Sequence, residues 1–142
     1  MSRRLHAIDL FCGAGGATAG LSAAGYHVTG VDISPQPDYP GDAFVLADAM
    51  DMVDAIADYD LVWASPPCAP YSGARLIRGY GTDQPDLVAA VCRMLAPHPY
   101  HIVENVPPAA RAGQMRADVT LAWQMFDLEA PCLLYTSPSP RD

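Results

Sequence analysis

Few folds accommodate a run such as Asp9-Leu10-Phe11-Cys12-Gly13-Ala14-Gly15-Gly16, in which an apolar segment passes straight into closely spaced glycines and then into a helix-forming stretch. Glycines at that spacing let a backbone turn tightly and approach a ligand, and the following helix N-terminus offers unpaired amides to an anion such as a carboxylate. The local pattern predicts a strand over His6–Phe11, a turn over Cys12–Gly16, a helix over Ala17–Ala24 capped by Gly25, and a second strand over His27–Asp32.

The same alternation continues. A short strand is expected at Ala43–Leu46, a short helix at Met50–Ala57, a buried strand at Leu61–Ala64, a helix at Asp86–Leu95 behind Pro85, a strand at Tyr100–Val103 and a helix at Val119–Phe126. Apolar strands alternating with helical stretches are the mark of βαβ units around a mostly parallel, doubly wound α/β sheet. Two segments fall outside the alternation. Ser34–Gly41 holds three prolines and is expected to be a surface loop, and Ser65–Gly81 is a long loop rich in Pro, Gly and Ser. Structureless stretches of that length inside a compact domain are usually functional.

Composition narrows the function. A chain of 142 residues with 51% hydrophobic and 17% charged residues supports one folded domain with a real core. It has no apolar run long enough to span a bilayer and no signal-peptide pattern, so a cytoplasmic protein is expected. Cys12, Cys68, Cys92 and Cys132 form no CxxC pair and do not cluster with the histidines, which indicates neither a metal site nor a disulfide framework. The net charge of −8 argues against a chain that holds nucleic acid by bulk electrostatics alone.

Three constellations carry chemistry. In the first, the glycine turn is followed by Asp32 at the end of the second strand, sixteen positions past Gly16, where an acid can accept hydrogen bonds from ribose hydroxyls; Asp48, after the third strand, can accept from an exocyclic amine. A nicotinamide fingerprint is disfavoured because its third glycine would fall on Thr18. The second is Ser65-Pro66-Pro67-Cys68, where two prolines stiffen the backbone and hold Cys68 at the carboxyl end of the sheet, the edge where such sheets bind ligands. A lone cysteine is more often a small buried hydrophobe, but a rigid Pro-Pro-Cys platform beside a cofactor site favours a nucleophile. The third is Ile102-Val103-Glu104-Asn105-Val106, which delivers a glutamate at a strand end as a candidate acid and an amide suited to bracing a loop.

In this order, Phe11-Cys12-Gly13-Ala14-Gly15-Gly16, Pro67-Cys68 and Glu104-Asn105-Val106 resemble the cytosine-5 DNA methyltransferases, over Ala7 to about Val106. The resemblance implies a Rossmann-like catalytic domain over residues 1–131 and S-adenosylmethionine as cofactor. Cofactor contacts would come from Asp9, Phe11, Gly13, Ala14, Gly15, Gly16, Asp32, Ile33, Asp48, Ala49 and Pro66. Cys68 would attack a cytosine flipped out of duplex DNA and Glu104 would hydrogen-bond its ring, with Pro67 and Asn105 supporting them. A monomer without metal or membrane association is expected.

The chain departs from the family pattern in carrying Asp32-Ile33 where Glu-Trp is common and Ala69 where Gln often follows the cysteine. The family's Gln-Arg-x-Arg motif, target-recognition domain and closing helix are not found after Val106, and residues 132–142 resemble a translated sequencing adapter. A catalytic half with little turnover of its own is therefore expected. The proline-rich loop and the Ser-Pro-Pro-Cys form look most like short enzymes of phages and mobile elements, and the family resemblance also implies a DNA-methylation role of the restriction-modification kind. A tRNA-methylating relative or a nucleotide-binding module without catalysis would share many of these residues.

Overall fold

The computed structural model describes residues 3–71 and 84–121. The described residues form five strands: β1 (His6–Leu10), β2 (His27–Asp32), β3 (Ala43–Leu46), β4 (Leu61–Ala64) and β5 (His101–Val103). Every pairing is parallel and the sheet order is β3-β2-β1-β4-β5. The chain winds outward from β1 to β3, then crosses to the other side of β1 to form β4. That reversal is a topological switch point, and the sheet is a Rossmann-like α/β sheet.

Burial follows position in the sheet. Strand β1 is buried from Ala7 to Leu10 and β2 from Val28 to Val31, as strands covered on both faces must be, whereas the edge strands β3 and β5 contain no buried residue. Helix α1 (Gly16–Ala23) is built almost entirely of small residues and buries only Thr18 and Leu21. Leu21 joins Ala7 and Val28 in an apolar cluster flanked by Tyr26, Leu61 and Trp63. Helix α2 (Val88–Leu95) buries Val88, Val91 and Leu95 along one stripe. Burying a side chain such as Leu95 stabilises by about 1.5–3 kcal/mol. Helix α3 (Pro107–Arg111) opens with prolines at its first two positions, where a missing amide costs nothing.

Some segments differ from the sequence expectation. Met50–Ala57 is not α-helical: two 3₁₀ turns, Ala49–Asp54 and Ile56–Asp58, replace it. Asp48 accepts the Met50 amide at the start of the stretch, and aspartates favour such local bonds over a regular helix interior. Helix α2 begins at Val88 rather than Asp86, whose carboxylate accepts the Tyr71 hydroxyl. Residues 119–121 of the expected Val119–Phe126 helix are not helical, and its remainder lies outside the described residues, as do the loop from Ser72 through Gly81 and the segment Cys132–Asp142. Helix α3 was not anticipated.

The chain divides into two compact units, Met1–Pro66 with Ala90–Glu104, and Pro67–Ala89 with Asn105–Asp142. The whole sheet belongs to the first. No helix among the described residues is long and apolar enough to cross a membrane.

Candidate functional site

Parallel strands place all their carboxyl ends on one edge of the first unit, and the glycine turn forms there. Phe11, directly after β1, has φ 60°. A bulky side chain is costly in this left-handed region, and such strain persists where the surrounding structure over-determines it. The Cys12 amide then donates to the Val31 carbonyl (3.1 Å), the Gly15 amide closes the turn onto the Cys12 carbonyl (2.9 Å), and Gly15, at φ 89°, is the N-cap of α1.

Asp32 locks this turn. Its Oδ2 accepts the Gly13 amide and its Oδ1 accepts the Ser34 amide, both at 2.9 Å. One carboxylate thus ties the glycine turn to the end of β2 and to the start of the loop that follows. A carboxylate has about four lone-pair positions, so both oxygens retain capacity for further donors. Asp48 has a comparable structural duty: it is the N-cap of the first 3₁₀ turn and accepts the Met50 amide at 2.9 Å.

The glycines of the turn differ in surroundings. At Gly13, with φ 50°, a Cβ would meet nothing within 4 Å, while at Gly15 it would collide with Pro40 of the chain itself. The backbone at Gly13 therefore faces open space, and Gly15 serves internal packing. Ala14 and Gly16 are exposed, Ile33 is 72% exposed beside Asp32, and Ala49 and Pro66 are buried. Asp9 is 1% exposed; its Oδ2 accepts the Thr18 hydroxyl at 2.6 Å, and its Oδ1 is buried without a partner. Burial raises the Asp9 carboxyl above its ordinary range against the lowering effect of the Thr18 hydrogen bonds.

The cysteines differ in environment. Burial, with Asp9 and Asp32 nearby, pushes the Cys12 thiol up to about 12, which keeps it protonated and poorly nucleophilic. Burial also raises Cys92. Cys68 lies in the second unit and is half-buried; its carbonyl accepts the Tyr71 amide (2.9 Å), closing a turn over Cys68–Tyr71. Pro67 and Asn105 are in that same unit, and the Asn105 side chain accepts the Val106 amide at 2.9 Å, the loop-bracing contact its type suggests. Glu104 belongs to the first unit, directly after β5, with its amide donating to the Ala64 carbonyl (2.9 Å).

A cavity of about 680 Å³ lies elsewhere, lined by apolar residues including Leu5, Tyr26, Ile56, Leu61, Met94 and Tyr100. It opens at the amino ends of the strands, the edge opposite the glycine turn. Among the described residues no cluster of three or more His, Cys, Asp or Glu side chains is arranged to hold a metal ion.

Sequence reasoning did not single out Tyr39 or Thr18. The Tyr39 side chain turns inward from the proline-rich loop, and its ring occupies the space where a side chain at Gly30 would stand. An isolated glycine inside a strand signals such an approach, and Gly30 in β2 was that signal.

Residues 5–117 match a family model described as C-5 cytosine-specific DNA methylase. No curated protein matches the chain. Similar solved structures include a SAM-dependent methyltransferase from Agrobacterium tumefaciens, 25% identical over 47% of this chain and 27% of that one, with a TM-score of 0.38. Another is the bifunctional kinase-methyltransferase WbdD, 19% identical over 72% of this chain and 23% of that one, with a TM-score of 0.42. The chain spans about a quarter of the length of these structures.

Proposed function

The chain belongs to the C-5 cytosine-specific DNA methylase family, and from that premise we propose that it is the catalytic portion, over residues 1–131, of an enzyme that methylates carbon 5 of cytosine in DNA. The cofactor of the family is S-adenosylmethionine, which supplies an electrophilic methyl group when bound. The observation that carries the reading is the family match spanning the glycine turn, Cys68 and Glu104 together.

In this reading Phe11, Gly13, Asp32, Ile33 and Asp48 hold the cofactor at the carboxyl edge of the sheet. Asp32 accepts from the ribose while it fixes the Gly13 amide, and exposed Ile33 offers an apolar surface to the adenine. The Asp9 carboxyl, buried under the turn, supports it through Thr18. Ala14, Gly15, Gly16, Ala49 and Pro66 complete the surrounding backbone.

Cytosine carbon 5 is a weak nucleophile. Cys68, as thiolate, adds to carbon 6 and makes carbon 5 enamine-like, while Glu104 hydrogen-bonds ring nitrogen 3 and stabilises the charge that develops there. Pro67 stiffens the Cys68 backbone and Asn105 braces the segment after Glu104. Once carbon 5 has taken the methyl group, loss of its proton and departure of Cys68 as thiolate restore the aromatic ring. These groups are out of reach inside a duplex, so the target base must be flipped out.

With a net charge of −8, the chain offers DNA little bulk electrostatic attraction, so DNA affinity has to come from local contacts. The test is a covalent trap: the protein incubated with S-adenosylmethionine and duplex DNA containing 5-fluorocytosine. A denaturation-resistant adduct, absent in Cys68→Ala, is expected. An adduct formed with tRNA and not with DNA would reassign the substrate, and no adduct with either would overturn covalent catalysis.

A further inference from the structure

Tyr39 stands in the loop between β2 and β3, yet its side chain is half-buried and bonded. The sheet register explains where it goes. Phe44, Gly30, Asp9 and Trp63 are aligned partners across β3, β2, β1 and β4, and aligned residues of parallel strands share a face. That face carries Ala7 and Val28, which cluster with Leu21 of α1. Gly30 leaves a gap in the row. The Tyr39 ring fills it, collides with any Cβ built at Gly30 or Gly41, and lies 5.5 Å from the Phe44 ring, tilted by 51°.

The hydroxyl end is specified as closely as the ring. Thr18 donates its single proton to Asp9 Oδ2 (2.6 Å), so the 2.9 Å contact between the Thr18 and Tyr39 hydroxyls has Tyr39 as donor. The chain of hydrogen bonds therefore runs from the loop, through α1, into β1. Its neighbour Pro40 presses on Gly15, the residue that opens α1. At the loop's start the Ser34 amide binds Asp32, which also holds the Gly13 amide, and at its end Asp42 accepts the Val28 amide at 2.8 Å. The loop is thus fastened at both ends and at Tyr39, and it meets the glycine turn twice, through Asp32 at Gly13 and through Pro40 at Gly15.

We propose that Tyr39 is a positioning residue of the cofactor site: through Thr18 and Asp9 it clamps the proline-rich loop against the glycine turn, so that Gly13 and Asp32 stand in ligand-ready geometry before S-adenosylmethionine arrives. The inference rests on the cofactor reading above. Its physical basis is preorganisation: a loop ordered in advance does not lose its conformational freedom at the moment of binding. A side chain that only filled the core would contribute through its ring, and its hydroxyl would be dispensable to the ligand.

Tyr39→Phe keeps the ring and removes the donor; Thr18→Val breaks the same chain, and Thr18→Ser keeps it. Calorimetric titration with S-adenosylmethionine on the full chain should show affinity weakened about five- to tenfold in Tyr39→Phe and in Thr18→Val, with no further loss in the double variant and near-parental affinity in Thr18→Ser. Hydrogen exchange without cofactor should quicken at residues 11–16 in Tyr39→Phe. If Thr18→Val fails to fold, Tyr39→Phe against the parent carries the comparison. Parental affinity and parental exchange in Tyr39→Phe would overturn the inference while leaving the cofactor reading intact. A parent chain that does not bind S-adenosylmethionine would overturn the cofactor reading, and the inference with it.

Discussion

Asp32 and Gly13, nineteen residues apart, are joined by a 2.9 Å hydrogen bond from the glycine amide to the aspartate carboxylate. The same side chain accepts the Ser34 amide, so an acid expected to serve a ribose also builds the turn that would receive the cofactor. Removing it should therefore change the free protein as well as its affinity.

Asp32→Ala is expected to lower stability by about 1–3 kcal/mol, since two amides lose a charged acceptor, and to weaken S-adenosylmethionine binding at least as much. Asp32→Asn retains one acceptor oxygen and should lie between. Urea unfolding beside calorimetry separates the two effects; parental stability in Asp32→Ala would show that the turn holds without this bond.

Phe11 sits at φ 60°, where glycine alone is unstrained. Phe11→Ala and Phe11→Gly both delete the ring, but the glycine variant also relieves the backbone. Phe11→Gly should be the more stable by about 1 kcal/mol, reversing the usual order of alanine over glycine. Thermal unfolding of the pair reads the difference directly.

The acidic groups should act in opposite directions with pH. Asp60 is held below its ordinary value by its Arg3 hydrogen bond and the His6 amide, and Asp42 by the Val28 amide. Their contribution is present above the ordinary value of 3.8 and is lost as pH falls through their lowered values. Asp9 is raised, chiefly by burial, so its contribution is complete below 3.8 and is lost as pH rises through its raised value. Unfolding midpoints across a pH series should show a shallower acid limb in Asp60→Asn. In Asp9→Asn the stability relative to the parent should improve as pH rises through the Asp9 titration.

Cys12 should resist alkylation in the native chain. With its thiol raised to about 12, its thiolate fraction at pH 8 is on the order of one in ten thousand, and burial blocks access as well. Iodoacetamide labelling followed by peptide mass mapping should leave Cys12 unmodified until the chain unfolds. Cys12→Ala should preserve the covalent adduct that Cys68→Ala abolishes; loss of the adduct in Cys12→Ala would move the nucleophile to the glycine turn.

The strands, the glycine turn and helix α1 could be read from the chain because each rests on local rules. Ala43–Leu46 and Leu61–Ala64 are short apolar runs that give way within two residues to Asp48 and Pro66, and His27–Asp32 is a β-branched stretch that ends on its aspartate. Asp32, Cys68 and Glu104 were legible as candidates because they end or follow such runs. What the sequence left open depends on register and long-range contact. Nothing local distinguishes a proline-rich surface loop from one whose tyrosine turns inward, nor reveals that Asp32 bonds Gly13. Only the parallel register, which sets Gly30 beside Asp9 and brings Thr18 of α1 over the same face, creates the gap that Tyr39 fills and the acceptor that its hydroxyl reaches.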